Sequence, residues 1–299
     1  MNYLGLDAGA SSCKWAVVDA EGRTIAEGRS SPWTGHLFDD LQRGRVRAAL
    51  EELADQVRPY SPRAVVAGVT GLDRESSEAE QLSRWIAELL DVERPRVQIM
   101  GDMDLMYRAN FEPGEGILVY AGTGSVAYHL TKDGGIVRAG GQGFMIGDEG
   151  AGFWIGKTGL RQVLRWLDRG EEVAERPLAR HLFEAMGGSS WPRIREYVYG
   201  GGRQAVAALA PAVGRAAQDG DAAAQTILRQ AGHELAELGL SLKYRLGDLP
   251  VTLCGGALRV SPLIEGGARE RLELTASDAS GALAAARLAL GADSGAGSG

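Results

Sequence analysis

A hairpin built on one plan occurs twice in this chain, and this repeat constrains the fold more than any other feature. In each copy an apolar strand runs into a loop of small residues, a second strand follows, and a glycine turn leads to a third strand. Thirteen positions separate Gly9 from Gly22 in the first copy, and 12 separate Gly122 from Gly134 in the second. Such matched spacing is typical of a duplicated structural unit, so we expect two related lobes.

Outside the hairpins, the apolar pattern alternates between helix and strand. Apolar residues between Val46 and Val57 fall on one helix face, and Ser77 with Glu80 forms a capping box at the start of another helix. This alternation indicates parallel sheets in an α/β architecture. The predicted strands are residues 3–7, 14–19, 24–27, 64–69, 97–100, 117–120, 126–130, 136–139 and 251–254, and further helices are predicted at 103–110, 152–167 and 224–242.

Composition excludes several classes of partner. The 32 Lys and Arg residues against 39 Asp and Glu give a formal net charge of −7, so we expect no nucleic-acid partner. No stretch approaches the roughly 18 apolar residues of a membrane span, so we expect no membrane partner. Cys13 and Cys254 lie far apart without a neighbouring histidine pair, which fits a reducing, cytoplasmic location. The Gly, Ala and Ser residues of 291–299 predict a disordered tail.

The small-residue loop of each hairpin is a candidate phosphate site. Small residues let backbone N–H groups converge on phosphate oxygens, and Asp7, at the end of the first strand, could hold Mg²⁺. A tight turn without a ligand is the alternative for either loop alone. Two such loops facing one another across a cleft would clamp a polyphosphate, which favours phosphoryl transfer. The loop residues are Gly9, Ala10, Ser11 and Ser12 in the first hairpin and Gly122, Thr123 and Gly124 in the second.

Two strand ends carry further candidates. Asp102 follows the strand at 97–100, where a carboxylate could accept the proton of an attacking hydroxyl. A helix N-cap is the alternative role for this aspartate. Gly255 and Gly256 follow the strand at 251–254 and suit either the close passage of a nucleoside or simple packing.

Residues 140–150 form the most unusual stretch, with five glycines and two adjacent carboxylates, Asp148 and Glu149. So much backbone freedom is unfavourable unless another group must approach closely. Backbone amides and a carboxylate suit the hydroxyls of a sugar, whereas charges at a helix N-terminus are the alternative. The segment is therefore a candidate sugar site.

Together these motifs resemble the sugar-kinase, Hsp70 and actin superfamily, and within it the N-acetylglucosamine kinase and BadF/BadG/BcrA/BcrD ATPase group. The most specific part is the order of three motifs, at residues 121–125, 140–143 and 147–150. The chain departs from the family pattern where Ala8 and Ala10 replace glycines. It also departs at residues 31–36, where kinases of N-acetylglucosamine carry an asparagine that holds ring hydroxyls.

The resemblance implies a role for each candidate. Asp102 would be the catalytic base toward the 6-hydroxyl of the sugar, and Asp7 the acid associated with Mg²⁺. The two loops would bind the phosphates of ATP, and Gly255 with Gly256 would contact its adenosine. The residues expected to line the sugar pocket are Gly71, Leu72, Thr123, Gly141, Gln142 and Asp148, with Asp73 at the end of the segment 70–73.

The resemblance also implies an α/β, two-lobed actin-like ATPase (ribonuclease H-like) fold, with duplicated βββαβαβα lobes and a central cleft. Residues 1–113 with a returning helix at 279–290 would form the N-terminal lobe, and residues 114–278 the C-terminal lobe. Homodimers are common in this group, and the expected partner is a small-molecule sugar.

Three functions are compatible with these motifs. The first is an ATP-dependent kinase of N-acetylglucosamine, glucosamine or a related hexose. The second is an ATPase that activates a radical dehydratase or reductase, although Cys13 and Cys254 lie in the wrong segments to hold its iron–sulfur cluster. The third is a nucleotide-gated binding protein, for which the chain leaves little room for a partner-binding segment.

Overall fold

The computed structural model describes residues 1–72 and 76–296, so the expected sugar contact at Asp73 lies outside the described residues. The chain forms two compact units. Unit 1 comprises Met1–Phe111 together with Ala279–Gly299, and unit 2 comprises Glu112–Asp278. No helix among the described residues is long and apolar enough to cross a membrane.

Unit 1 is built on a five-stranded sheet with the order β3-β2-β1-β4-β5. The hairpin strands pair antiparallel, whereas β4 pairs parallel with both β1 and β5, so the sheet is mixed rather than wholly parallel. The strands are β1 Asn2–Ala8, β2 Cys13–Val18, β3 Thr24–Ser30, β4 Pro62–Val69 and β5 Val97–Gly101, and the helices are α1 Asp40–Val57, α2 Ser77–Leu90, α3 Asp102–Arg108 and α11 Gly281–Ala296.

Successive side chains of β1 point to opposite faces of this sheet, and each face has its own helices. Leu4 and Leu6 lie in one core cluster with Leu50 of α1 and Leu82 of α2. Tyr3 lies in a second cluster, where α3 and α11 contribute Leu105, Ala285, Ala286 and Ala289. The sheet of unit 1 is therefore covered on both faces, and the last helix of the chain supplies much of one cover.

The helix α2 begins one residue earlier than the predicted capping box places it. Its N-cap is Ser76, whose side chain accepts a hydrogen bond from the backbone N–H of Ala79. Ser77 is the first helical residue, and its hydroxyl donates to Glu78 instead. Both serines carry the hydroxyl that a cap needs, so sequence alone did not separate them.

Helix α11 includes the first residues of the segment 291–299, for which composition predicts a disordered tail. The helix continues to Ala296, and the last residues of this segment, 297–299, are not among the described residues. Asp293 accepts hydrogen bonds from the hydroxyl of Tyr3 at 3.1 Å and from Nε of Arg63 at 2.7 Å. These contacts hold a segment whose composition alone predicts disorder.

Unit 2 repeats the topology of unit 1. Its five strands have the order β10-β9-β6-β7-β8, with the hairpin antiparallel and both β9 pairings parallel. The duplication predicted from the two hairpins is therefore confirmed. The strands are β6 Ile117–Ala121, β7 Ser125–Leu130, β8 Ile136–Gly140, β9 Val251–Cys254 and β10 Thr275–Ser277.

Helices form the larger part of unit 2, and several of them lie outside the helices predicted from sequence. The polar stretch near residues 187–202 folds as two short helices joined by a π-helical turn, Glu196–Gly200. The long helix α9 packs against β6, β7 and β8. The helices are α4 Gly152–Asp168, α5 Pro177–Met186, α6 Trp191–Arg195, α7 Gly201–Ala207, α8 Ala210–Gln218, α9 Ala222–Leu246 and α10 Pro262–Arg269.

Candidate active site

Asp102 is the best-placed candidate base in unit 1. It is the first residue of α3, directly after β5, and its carboxylate is partly buried. One oxygen accepts a hydrogen bond from Oγ1 of Thr70 at 2.7 Å, and the other accepts from the backbone N–H of Met103 at 2.9 Å. Burial raises the pKa of Asp102 above its ordinary value, and the bond from Thr70 partly offsets this.

Asp7, the predicted metal-associated acid, lies at the end of β1 beside the first loop. Its Oδ2 is 3.3 Å from Nζ of Lys14, and its negative charge contributes to the raised pKa of Asp102. A single partly exposed carboxylate suits Mg²⁺, which keeps most of its waters and takes further oxygens from phosphates. The donor type therefore fits the predicted ion. Among the described residues, no cluster of three or more His, Cys, Asp or Glu side chains suits a metal.

The first predicted phosphate loop is a tight turn next to Thr70. The N–H of Gly9 donates to the carbonyl of Ser12 at 3.2 Å, and the N–H of Thr70 donates to the carbonyl of Ala8 at 3.0 Å. Ala10 and Ser11 are exposed at its tip. The loop thus lies at the same edge of the sheet as Asp7 and the donor to Asp102.

The segment expected to contact the sugar from unit 1 packs against residues 33–36. Gly71 has a φ of +74°, and a Cβ at this position would lie 2.4 Å from Nε2 of His36. A Cβ on Gly35 would lie 2.7 Å from the side chain of Leu72. Gly71 and Leu72 therefore lie beside the strand end that carries Thr70, with His36 over Gly71.

The second predicted phosphate loop joins β6 to β7 and is tied to the start of α4. The N–H of Gly122 donates to the carbonyl of Gly124 at 2.8 Å. The carbonyls of Gly122 and Thr123 accept from the N–H groups of Gly152 and Phe153 at 2.9 Å and 3.1 Å. The hydroxyl of Thr123 lies 3.5 Å from Oε1 of Gln204 on α7.

The predicted sugar-pocket residues of the glycine-rich segment differ in exposure. Gly141 and Gln142 are exposed, so both could meet a ligand. Asp148 is 3 % exposed, and its carboxylate lies against the backbone of the second loop. Its Oδ1 accepts from the N–H of Ser125 at 3.2 Å, and its Oδ2 accepts from Nη2 of Arg203 at 2.7 Å.

Gly255 is required where β9 ends. Its φ is +112°, and a Cβ there would lie 2.4 Å from the carbonyl oxygen of Ala121. A side chain would therefore collide with the backbone that begins the second loop. Gly256, which follows, has no such restriction. The predicted adenosine motif thus contacts the second phosphate loop within unit 2.

Sequence reasoning missed three residues that the fold brings to these candidates. Thr70 is 32 positions from Asp102, and Arg203 is 55 positions from Asp148. Gln204 reaches Thr123 across 81 positions. Only the resemblance of residues 70–73 to a sugar-contact segment pointed near Thr70, and no spacing pattern identified the other two.

Known proteins similar to this chain include amino-sugar kinases. The N-acetylmuramic acid/N-acetylglucosamine kinase of Clostridium acetobutylicum is 29% identical over 249 residues, covering 79% of this chain and 77% of the relative. The N-acetyl-D-glucosamine kinase of Dictyostelium discoideum is 25% identical, covering 85% and 84% respectively. A crystal structure from Chromobacterium violaceum, provisionally named an N-acetylglucosamine kinase, has a TM-score of 0.72 at 26% identity and covers 97% and 98%.

The likeness to solved structures confirms the predicted duplicated α/β fold and the resemblance to sugar kinases. Residues 4–266 match the BadF/BadG/BcrA/BcrD ATPase family. That match runs from β1 into helix α10, and it includes both candidate loops and every strand except β10. This protein belongs to the BadF/BadG/BcrA/BcrD ATPase family.

Proposed function

We propose that this protein is an ATP-dependent amino-sugar kinase. It transfers the γ-phosphoryl group of ATP to the 6-hydroxyl of N-acetylglucosamine, glucosamine or a related hexose. The observation that carries the proposal is Asp102, a partly buried carboxylate with a raised pKa at a strand end, in a chain related to N-acetylglucosamine kinases. The family and these relatives support ATP as the phosphoryl donor.

In this proposal Asp102 accepts the proton of the attacking sugar hydroxyl. A base is most effective when its pKa lies near the working pH, and burial moves the pKa of Asp102 in that direction. The hydrogen bonds from Thr70 and Met103 occupy one lone pair on each oxygen and fix the carboxylate's orientation. The remaining lone pairs are available to the substrate hydroxyl.

Each hairpin loop supplies backbone donors for the phosphates of ATP. Asp7 would hold Mg²⁺, which neutralises charge on the phosphates when bound. Lys14 lies beside Asp7 and adds a positive charge next to the first loop. In unit 2, the N–H groups of Thr123 and Gly124 and the close turn at Gly255 serve the nucleotide. Gly71, Leu72, Gly141 and Gln142 are proposed to contact the sugar.

An activator ATPase with an iron–sulfur cluster is a weaker proposal. Such a cluster needs accessible thiolates, but Cys13 and Cys254 are 0% and 1% exposed. Burial raises the pKa of each thiol to about 12, which opposes ionisation. Each thiol lies within a strand of a different sheet. Both cysteines therefore behave as small core residues.

The deciding experiment is a sugar screen with the purified protein. ADP release is measured with ATP and Mg²⁺ in the presence of N-acetylglucosamine, glucosamine, N-acetylmuramic acid, glucose and mannose. We expect sugar-dependent ADP release with at least one amino sugar and a 6-phosphate product by mass spectrometry and NMR. ADP release that is the same with and without every sugar would refute the kinase proposal.

The raised pKa of Asp102 gives a pH dependence with a definite sign. The base must be ionised, so kcat/KM should fall as the pH drops through a pKa above that of an ordinary aspartate. Thr70→Val removes a hydrogen bond that lowers this pKa, so the acidic limb of the profile should move to higher pH. An acidic limb unmoved in this variant would contradict the assignment of Asp102 as the titrating base.

We also propose a cytoplasmic homodimer. Two reduced, buried cysteines and a net charge of −7 are compatible with the cytoplasm. The dimer rests on the resemblance to amino-sugar kinases. Light scattering of the purified protein gives its mass, and a mass equal to one chain would reject the dimer.

A further inference from the structure

We propose that Arg203 positions the second phosphate loop for nucleotide binding. This inference rests on the proposed function, because it assigns a role in holding ATP. Arg203 lies at the start of α7, and three segments meet at its guanidinium group: the loop at 122–125, the glycine-rich segment at 140–150, and α7 itself. Direct contacts within unit 2 connect these three segments.

A path of hydrogen bonds connects Arg203 to the loop backbone. Nη2 of Arg203 donates to Oδ2 of Asp148 at 2.7 Å, and Oδ1 of Asp148 accepts from the N–H of Ser125 at 3.2 Å. The aspartate is therefore fixed from both sides. The hydroxyl of Ser125 adds a second link by donating to the carbonyl of Glu149 at 2.7 Å.

The side chains of Arg203 and Asp148 pack tightly beneath Gly124. A Cβ on Gly124 would lie 2.5 Å from Nη2 of Arg203 and 2.6 Å from each carboxylate oxygen of Asp148. The ion pair therefore lies directly against the loop backbone, with no room for a side chain between them. The guanidinium carbon of Arg203 also lies 5.6 Å from the ring centre of Phe144, within the range of a cation–π contact.

The ion pair of Arg203 and Asp148 includes features that oppose stability. Asp148 has a φ of +64°, which is unfavourable for a residue with a side chain. Nε of Arg203 is buried and has no hydrogen-bond partner within residues 1–72 and 76–296. Gly202, immediately before Arg203, breaks the helical path with a φ of +59° and a ψ of −148°, a conformation that glycine adopts without strain. Strain concentrated around one ion pair is typical of functional sites.

The chemistry of arginine suits this role. Its planar fork can hold a carboxylate while its flat face packs on an aromatic ring, and a lysine ammonium cannot do both. Without the guanidinium, the carboxylate of Asp148 would be buried without its ion-pair partner, and the loop would lose its fixed support. Nucleotide binding would then have to order the loop, and the entropy lost in this ordering lowers the affinity for the nucleotide.

The test is equilibrium binding of the non-hydrolysable ATP analogue AMP-PNP with Mg²⁺, in the absence of sugar, followed by calorimetry. Replacing Arg203 with Met should raise the Kd of the analogue by about 10-fold or more, a loss comparable to that of one charge-assisted hydrogen bond. Arg203→Lys should fall between wild type and Arg203→Met. The KM of the sugar should change by a smaller factor than the Kd of the analogue, because Arg203 itself is assigned no sugar contact.

The control is Arg195→Met, which removes an exposed arginine from the preceding helix and should leave the Kd unchanged. A purely structural Arg203 would lower the melting temperature of the variant but leave the Kd of the folded protein unaltered, and that result would overturn the proposal. If Arg203→Met does not fold, Arg203→Lys with a wild-type Kd would overturn it equally. Wild-type protein that fails to bind the analogue would instead reject the proposed function.

Discussion

Replacing Asp102 with asparagine is expected to lower kcat by about 10²–10⁴-fold, the usual contribution of a positioned general base. The amide keeps the shape of the carboxylate and can still accept a hydrogen bond from Thr70, but it cannot take a proton from the sugar hydroxyl. Steady-state assays with the best sugar of the screen give kcat. Calorimetry with AMP-PNP should give a Kd close to that of the wild type.

The matched control is Asp55→Asn, which changes an exposed aspartate on α1 whose side chain is 76% exposed. Its activity should equal that of the wild type. A kcat within about 3-fold of wild type in Asp102→Asn would remove Asp102 as the base, because general-base catalysis contributes at least about 10²-fold. Loss of AMP-PNP binding in the same variant would point to a structural role instead.

Replacing Gly5 with alanine should destabilise unit 1 more than any other single methyl addition discussed above. A Cβ on Gly5 would lie 2.0 Å from the carbonyl oxygen of Ala282 and 2.2 Å from the backbone nitrogen of Ala286. Strand β1 and helix α11 would have to separate, because backbone atoms cannot rotate away. We expect a loss of about 3 kcal/mol or more, at the upper end of the cost of overpacking a core.

Hydrogen exchange measures this effect in each unit separately. Amides of α11 should exchange faster in Gly5→Ala, whereas those of α9 in unit 2 should keep their wild-type rates. The control is Gly44→Ala on α1, where a Cβ meets no atom within 4 Å, and this change should stabilise the helix by roughly 0.5–1 kcal/mol. Unchanged exchange of α11 in Gly5→Ala would contradict the close packing of the helix on β1.

The parts of the fold predicted from sequence are those that local pattern determines. The two hairpins, β4, β9 and the helices α4 and α9 follow from apolar periodicity and from glycines at turns. The strand β10 was missed because Thr275–Ser277 is short and mostly exposed, and it gains its place by pairing with β9. Pairing partners far apart in the chain leave no local signal.

The residues of the candidate site also fall into two groups, those that local sequence identifies and those that only the fold brings together. Asp7 and Asp102 were identified because they follow apolar strands, and strand ends are where ligands bind in α/β folds. Asp148 was also identified, but its pairing with Arg203 was not, since the sequence around residues 187–202 gave only a polar stretch. Contacts such as Thr70 with Asp102 depend on the order of strands in the sheet. The order of the strands is seen only in the folded structure.

The position of α11 has a consequence for the order in which the chain folds on the ribosome. All of unit 2 leaves the exit tunnel before residues 281–296, yet those residues cover one face of the sheet that begins at Asn2. Domains generally fold as units during synthesis. The half of the molecule that is made first must therefore wait, with part of its apolar sheet uncovered, until residues 281–296 have been made. Unit 2, in contrast, has all five of its strands, β6–β10, before residues 281–296 are made.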